Sequence, residues 1–397
     1  MSDAPDADRS TVIPEIRFIR PRGPEQRATF FELFFDLVYV FAVTQLSHHL
    51  LRAGLSWSAA AQTTLMLVAV YWAWNYTTWM ANWFDPETTA VRLILIFVML
   101  ASLLMAVAIP EGFGVWALLF AASYVALQLA RNAFVVLVTP PGPFNQNFRQ
   151  ILTWSVLSAP LWIAGGVIDD ARWPLWLAAL GADLAAPLVR YWIPGVGSTP
   201  LRQWEISSGH FAERFQLFVI IALGESIVIT GATASVVGLT LWVTVALGLA
   251  FLTSTALWWL YFSDAGRILV DRLSSSSADE TGALGRDVYT YLHLPIVAGI
   301  VLMAVGDELV IAHPGEALAL SGAVVTLVGP ALYLGGLVGC LIRVGNGTAW
   351  PIVITAAVLV AAVPAATHVS GLATLSFVVV ALFVLAVWDQ RRRATSR

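Results

Sequence analysis

The chain has 397 residues, of which 58% are hydrophobic and 12% charged, with a net charge of −4 and a mean hydropathy of +0.78. Soluble domains carry about 25% charged residues, so a chain this apolar cannot cover a water-facing surface, and a soluble globule is excluded. The small negative charge gives no reason to expect a nucleic-acid partner. The lone Cys340 excludes a disulfide framework or thiolate cluster, and the absence of lysine excludes a side-chain Schiff base.

Residues 1–28 form a polar tail with five arginines and prolines at 14, 21 and 24, predicted to be irregular. It lacks the apolar stretch of a cleaved signal peptide, so the first apolar segment is expected to act as an uncleaved signal anchor. A hydrocarbon core of about 30 Å needs roughly 20 apolar residues per helix. On that measure about twelve segments follow. They lie near 30–51, 58–80, 92–109, 116–138, 149–168, 173–191, 210–232, 238–262, 288–311, 316–342, 350–367 and 371–388. Breakers such as Pro110-Glu111-Gly112 and Pro140-Pro141-Gly142-Pro143 separate them, and Ser274 to Ser277 reads as a mobile loop. The fold class is therefore an all-α integral membrane protein, its partner the lipid bilayer.

Assigning each arginine to its nearest helix end puts nineteen on one side, against Arg52 and Arg172 on the other. The positive-inside rule then predicts an inner-membrane protein with both termini in the cytoplasm. Phe30-Phe31-Glu32-Leu33-Phe34 opens one helix and Phe211-Ala212-Glu213-Arg214-Phe215 opens another. This suggests two parallel six-helix repeats over residues 29–200 and 201–390, followed by a basic cytoplasmic end at 391–397.

Charged groups inside a bilayer cost at least about 2.5–3.5 kcal/mol each and call for a reason. Glu32 and Asp36 lie one turn apart on one helix face. Two carboxylates so close repel, the arrangement of a proton carrier or general acid; a solvated pair at the membrane rim is the plainer reading. Glu213 and Arg214 open the helix whose middle holds Glu225. That residue needs a partner on another helix, with Gly224 beside it expected at a close helix contact. Asp183 is the second acid deep in a helix, and Arg131 sits with Gln128 and Asn132 either in a polar site or snorkelling to headgroups.

These side chains concentrate in the cytoplasmic half, predicting a vestibule open to the cytoplasm with Glu225 and Asp183 toward its floor. The candidates for substrate or proton binding are Glu32, Asp36, Arg131, Asp183, Glu213, Arg214 and Glu225, with no catalytic residue assigned. No metal-ligand spacing appears and no cofactor is expected. His210 and Glu213 share a face, and Trp72, Trp74, Trp79, Trp83, Trp258 and Trp259 read as membrane-belt anchors.

Residues 30–43, FFELFFDLVYVFAV, and 213–227, ERFQLFVIIALGESI, resemble the paired motifs of the bacterial low temperature requirement A (LtrA) family. The resemblance covers about residues 28–390 and implies a bacterial multi-pass membrane protein; it implies no reaction. It puts weight on Glu32, Asp36, Glu213, Arg214 and Glu225, which lie in the motifs. Three functions stay open: a proton-coupled transporter of a small molecule, an embedded enzyme acting on a lipid-soluble substrate, or a non-catalytic scaffold or sensor in cold growth.

Overall fold

The computed structural model describes residues 18–20, 27–204, 206–346 and 349–396. The expectation of an irregular tail falls mostly on residues 1–17 and 21–26, which lie outside them, as does the last arginine, Arg397. Among the described residues the regular elements are all helices, with isolated bridges in place of strands. Nine are long and apolar enough to cross a membrane.

The first half runs α1 (Phe30–Arg52), α2 (Trp57–Trp83), α3 (Thr89–Ala108), α4 (Ala117–Val138), α5 (Pro143–Val167) and α6 (Arg172–Leu188). Local chemistry sets the starts. Thr29 and Glu32 cap α1 reciprocally, Ser56 caps α2 through the Ala59 N–H, and Pro143 opens α5 where its missing N–H costs nothing. The second half runs α7 (Ser208–Val237), α8 (Leu241–Leu260), α9 (Gly266–Ser274), α10 (Ala278–Leu284), α11 (His293–Ala312), α12 (Leu320–Arg343), α13 (Trp350–Ala361), α14 (Val363–Ala366) and α15 (Gly371–Ser396).

A helix occupies each of the twelve predicted positions, but three depart from the simple picture. The 27 residues of α2 include Trp, Tyr, Thr and Asn and fall short of the hydropathy of a lipid-facing span. This helix is sheathed by α1, α3, α4, α6, α7 and α11, so it needs little apolar outer surface. The α6 helix has 17 residues and α13 has 12, with Pro364 setting off the short α14. Burial also corrects the reading of the tryptophans. Trp72, Trp74 and Trp83 are core residues, whereas Trp258 and Trp259 remain exposed on α8.

The connection expected as a loop at Ser274 to Ser277 is non-helical only over Ser275–Ser277, with α9 and α10 closing on it from both sides. Wide stretches of π type join α8 to α9 over the five residues Tyr261–Ala265 and α10 to α11 over the eight residues Gly285–Leu292. Such turns are rare and recur at functional sites.

Neighbours repeat between the halves. In the first, α1 packs on α2 and α3, α3 on α4, α4 on α5, α5 on α6 and α6 on α2. In the second, α7 packs on α8 and α11, α11 on α12, α12 on α13, α13 on α15 and α15 on α8. Backbones come into direct contact between α11 and α12. A Cβ on Gly299 would lie 2.5 Å from the Tyr333 backbone N, and one on Gly329 would lie 2.6 Å from the Met303 N. Gly306 and Gly336 repeat these approaches seven residues along each helix. Gly224, expected at such a contact, has open space around it.

Candidate functional site

Where α1, α2 and α7 begin or end together, four charged side chains and a histidine are buried. The Glu32 Oε2 completes the α1 cap, accepting the Thr29 N–H at 2.8 Å. That oxygen also accepts from Arg20 Nη2 at 3.0 Å. Arg20 is held there by a short backbone bridge to the end of α2, with its N–H on the Trp83 carbonyl at 3.0 Å and the Asp85 N–H on the Phe18 carbonyl at 2.9 Å. The other oxygen, Oε1, lies 2.9 Å from His210 Nε2. The Ser207 N–H on Asn82 Oδ1 at 2.8 Å orients that amide, so Asn82 Nδ2 donates to His210 Nδ1 at 2.9 Å. His210 therefore carries its proton on Nε2 and donates to Glu32 as a neutral ring.

One turn further along α1, Asp36 Oδ1 accepts from Trp74 Nε1 at 2.8 Å and from Arg214 Nη2 at 2.7 Å. Both charges are sealed: Asp36 is 0% and Arg214 1% exposed. Trp74 is fixed by stacking on Phe218, their ring centroids 4.0 Å apart. Asp36 Oδ2 and Arg214 Nε and Nη1 find no partner among the described residues. The rim-solvated reading of Glu32 and Asp36 is thus replaced. Both are buried, and each has its own cationic or hydrogen-bonding partner rather than sharing a proton with the other.

Glu213 accepts the Ala28 N–H at 2.8 Å. Glu225 meets neither Arg131 nor Arg214. It accepts a hydrogen bond from Thr44 Oγ1 across the α1–α7 crossing, while the neighbouring Ser226 Oγ lies 3.0 Å from Ser254 Oγ on α8.

Asp183 belongs to a separate cluster in the first half. Its Oδ2 accepts from Tyr124 OH at 2.9 Å and Trp162 Nε1 at 3.0 Å. Gln128 Nε2 donates to the Tyr124 oxygen at 2.9 Å, and Arg131 Nη2 donates to Gln128 Oε1. Arg131 is buried and also reaches Thr77 Oγ1 at 3.2 Å, so it does not snorkel to headgroups. Arg190, in contrast, is exposed. The expected single vestibule with Glu225 and Asp183 at its floor is therefore not what these contacts describe: the two acids sit in different networks.

Sequence reasoning missed several participants. Arg20 lay in a tail read as irregular, and Trp74 and Asn82 gave no signal apart from their spacing on α2. Asp307, 1% exposed within the apolar α11, carried the same signal as Glu225 and was passed over. Among the described residues, no group of three or more His, Cys, Asp or Glu side chains stands close enough to hold a metal ion.

Apolar helices of spanning length around buried cross-helix polar contacts, the Asp36–Arg214 ion pair among them, define a multi-pass α-helical membrane protein. The description "Bacterial low temperature requirement A protein (LtrA)" matches residues 27–387. A curated relative, "Uncharacterized protein RA0937" of Rhizobium meliloti (strain 1021), is 37% identical over 381 residues, covering 94% of this chain and 91% of the relative. The chain belongs to the bacterial low temperature requirement A family. No solved structure matches it.

Proposed function

We propose that this protein is a proton-coupled transporter of a small solute, built as two six-helix halves that rock about the α1–α7 crossing. One observation carries the reading: intramembrane acids of one half bond to groups of the other. Glu32 meets His210, Asp36 meets Arg214, and Glu225 meets Thr44. Contacts between repeats are the ones that alternating access must break and remake, and proton binding to a carboxylate weakens its hold on a cation.

The two motif helices support a parallel repeat. The offset of 181 residues that aligns Phe30 with Phe211 also aligns Thr44 with Glu225, and these two side chains bond to each other. Equivalent positions in contact are what a pseudo-two-fold axis through the crossing produces. The matching neighbour pattern of the two halves supports twelve crossings, and the arginine distribution supports both ends in the cytoplasm. Phosphatase fusions after Arg397 and at residues 275–277 are then inactive, and one at His313 is active. An active C-terminal fusion overturns the orientation.

Transport itself is read in proteoliposomes holding a pH-sensitive dye under an inward proton gradient and challenged with fractions of a bacterial metabolite extract. At least one fraction speeds proton entry several-fold over protein-free liposomes. Glu225→Gln, which keeps the shape and the hydrogen bond to Thr44 but cannot titrate, reconstitutes normally and abolishes the increase. Proton entry equal to that of protein-free liposomes for every fraction overturns coupled transport. Full coupling in Glu225→Gln removes Glu225 from the mechanism.

A further inference from the structure

A cavity of about 40 Å³ lies where α2, α4 and α5 meet the π-type stretch at Gly285–Leu292. Three of its lining side chains are polar, nearly fully buried and incompletely bonded: Asn75 at 0% exposure, Asn147 at 1% and Trp204 at 4%. Asn75 Nδ2, Asn147 Oδ1 and Trp204 Nε1 have no partner among the described residues. A buried polar atom left unpaired costs roughly 1–3 kcal/mol, and such atoms are scattered and few in folded proteins. Three around one cavity point to a common occupant.

The site is built by its surroundings. Trp79 Nε1 donates to Thr290 Oγ1 at 2.9 Å, and that hydroxyl faces two acceptors at 3.2 Å, Asn75 Oδ1 and the Gly285 carbonyl. Asn75 Oδ1 lies on the Thr290 side, and its Nδ2 is the atom without a partner among the described residues. Trp204 is packed edge-on against Trp79, their centroids 6.1 Å apart. Gly282 lets α10 close onto this corner: a Cβ there would fall 2.6 Å from the Leu201 carbonyl and 3.2 Å from Trp204 Cβ. Thr290 sits on the π-type stretch, whose wider turn is the kind that recurs at functional sites.

The chemistry of the lining selects the occupant. Asn75 Nδ2 and Trp204 Nε1 are donors, and Asn147 Oδ1 is an acceptor. Arg286 lines the cavity with its Nε on Asp287 Oδ1 at 2.8 Å, and Arg343 Nε holds the other Asp287 oxygen at 2.8 Å. Two cations on one anion disfavour a positively charged ligand. An anion would place charge against the Asn147 carbonyl among tryptophan faces. We propose that this cavity binds the carboxamide head of a small neutral molecule. The carbonyl oxygen accepts from Asn75 and Trp204, and the amide N–H donates to Asn147. The cavity admits the flat head and leaves the remainder of the ligand along the aromatic wall of Trp83 and Phe148. Binding at this site does not depend on the transport reading.

The test is equilibrium dialysis of the purified full-length protein in detergent against benzamide, benzoate and benzylamine. Benzamide binds saturably, and the two charged analogues bind at least about tenfold more weakly, because a site built for one hydrogen-bond pattern rejects another. Trp204→Phe keeps the ring and loses only the donor. It lowers benzamide affinity by about tenfold, the effect of one hydrogen bond with its partner left unpaired. Asn147→Leu does the same and leaves proton coupling in proteoliposomes to be scored separately. No saturable benzamide binding, the result if waters alone fill the cavity, overturns the proposal. So does equal binding of all three probes, or unchanged affinity in folded Trp204→Phe.

Discussion

Arg214→Gln is expected to destabilise the protein by about 3–5 kcal/mol, the cost of breaking a buried ion pair from one side. The reason lies in the geometry around Asp36. Its Oδ1 takes two donors, Trp74 Nε1 and Arg214 Nη2, and the residue has no contact with water. Glutamine can replace one hydrogen bond, yet it leaves a carboxylate inside the bundle with no countercharge. Asp36→Asn in the Arg214→Gln background removes the orphaned charge and should restore stability to within about 1 kcal/mol of wild type. Thermal unfolding of the detergent-solubilised protein, followed by fluorescence-detected size exclusion, reads both variants. Equal loss in the single and double variants would mean that packing of the two side chains, not their charge, stabilises the crossing.

Gly329→Val should be as damaging for a steric reason. The two backbones of α11 and α12 touch where Gly329 meets Gly299 and Met303, and a new Cβ would stand 2.6 Å from the Met303 N and 3.1 Å from the Gly299 carbonyl oxygen. No side-chain rotation relieves a clash with backbone, so the helices must separate along the whole interface. Overpacked cores lose about 1–3 kcal/mol and occasionally more; here the upper end or beyond is expected. Gly335→Ala, on the same helix with open space around its Cα, serves as the control and should unfold at the wild-type temperature. A wild-type unfolding temperature for Gly329→Val would show that α11 and α12 do not pack this closely in the membrane.

The apolar composition and the spacing of breakers were enough to read an all-helical membrane protein and to place its long apolar helices, though not the short α9 and α10. Helix interiors in lipid must satisfy their backbone bonds locally, so this information is written in consecutive residues. The motif residues Glu32, Asp36, Glu213, Arg214 and Glu225 stood out for the same reason: a charge within an apolar run is visible one residue at a time. Their partners were not visible. Arg20 and Glu32 are twelve residues apart, and His210 and Arg214 are each 178 residues from the acids they bond.

Those pairings depend on how α1, α2 and α7 cross, which no local pattern encodes. The place of α2 in the bundle was not legible either, because hydropathy records only the average solvent of a segment. A helix packed against six others meets protein instead of lipid and so carries tryptophan, tyrosine and asparagine. The cavity lined by Asn75, Asn147 and Trp204 belongs to the same class of fact. Its three unpaired atoms come from an α2 interior, an α5 start and a short turn before α7, brought together only when both halves pack. Membership of the membrane and the positions of the intramembrane charges were thus determined by the sequence itself. Which charge neutralises which, and where an unpaired polar cavity remains, was decided by tertiary packing, since Coulomb attraction and hydrogen bonding act over a few ångströms in space regardless of separation along the chain.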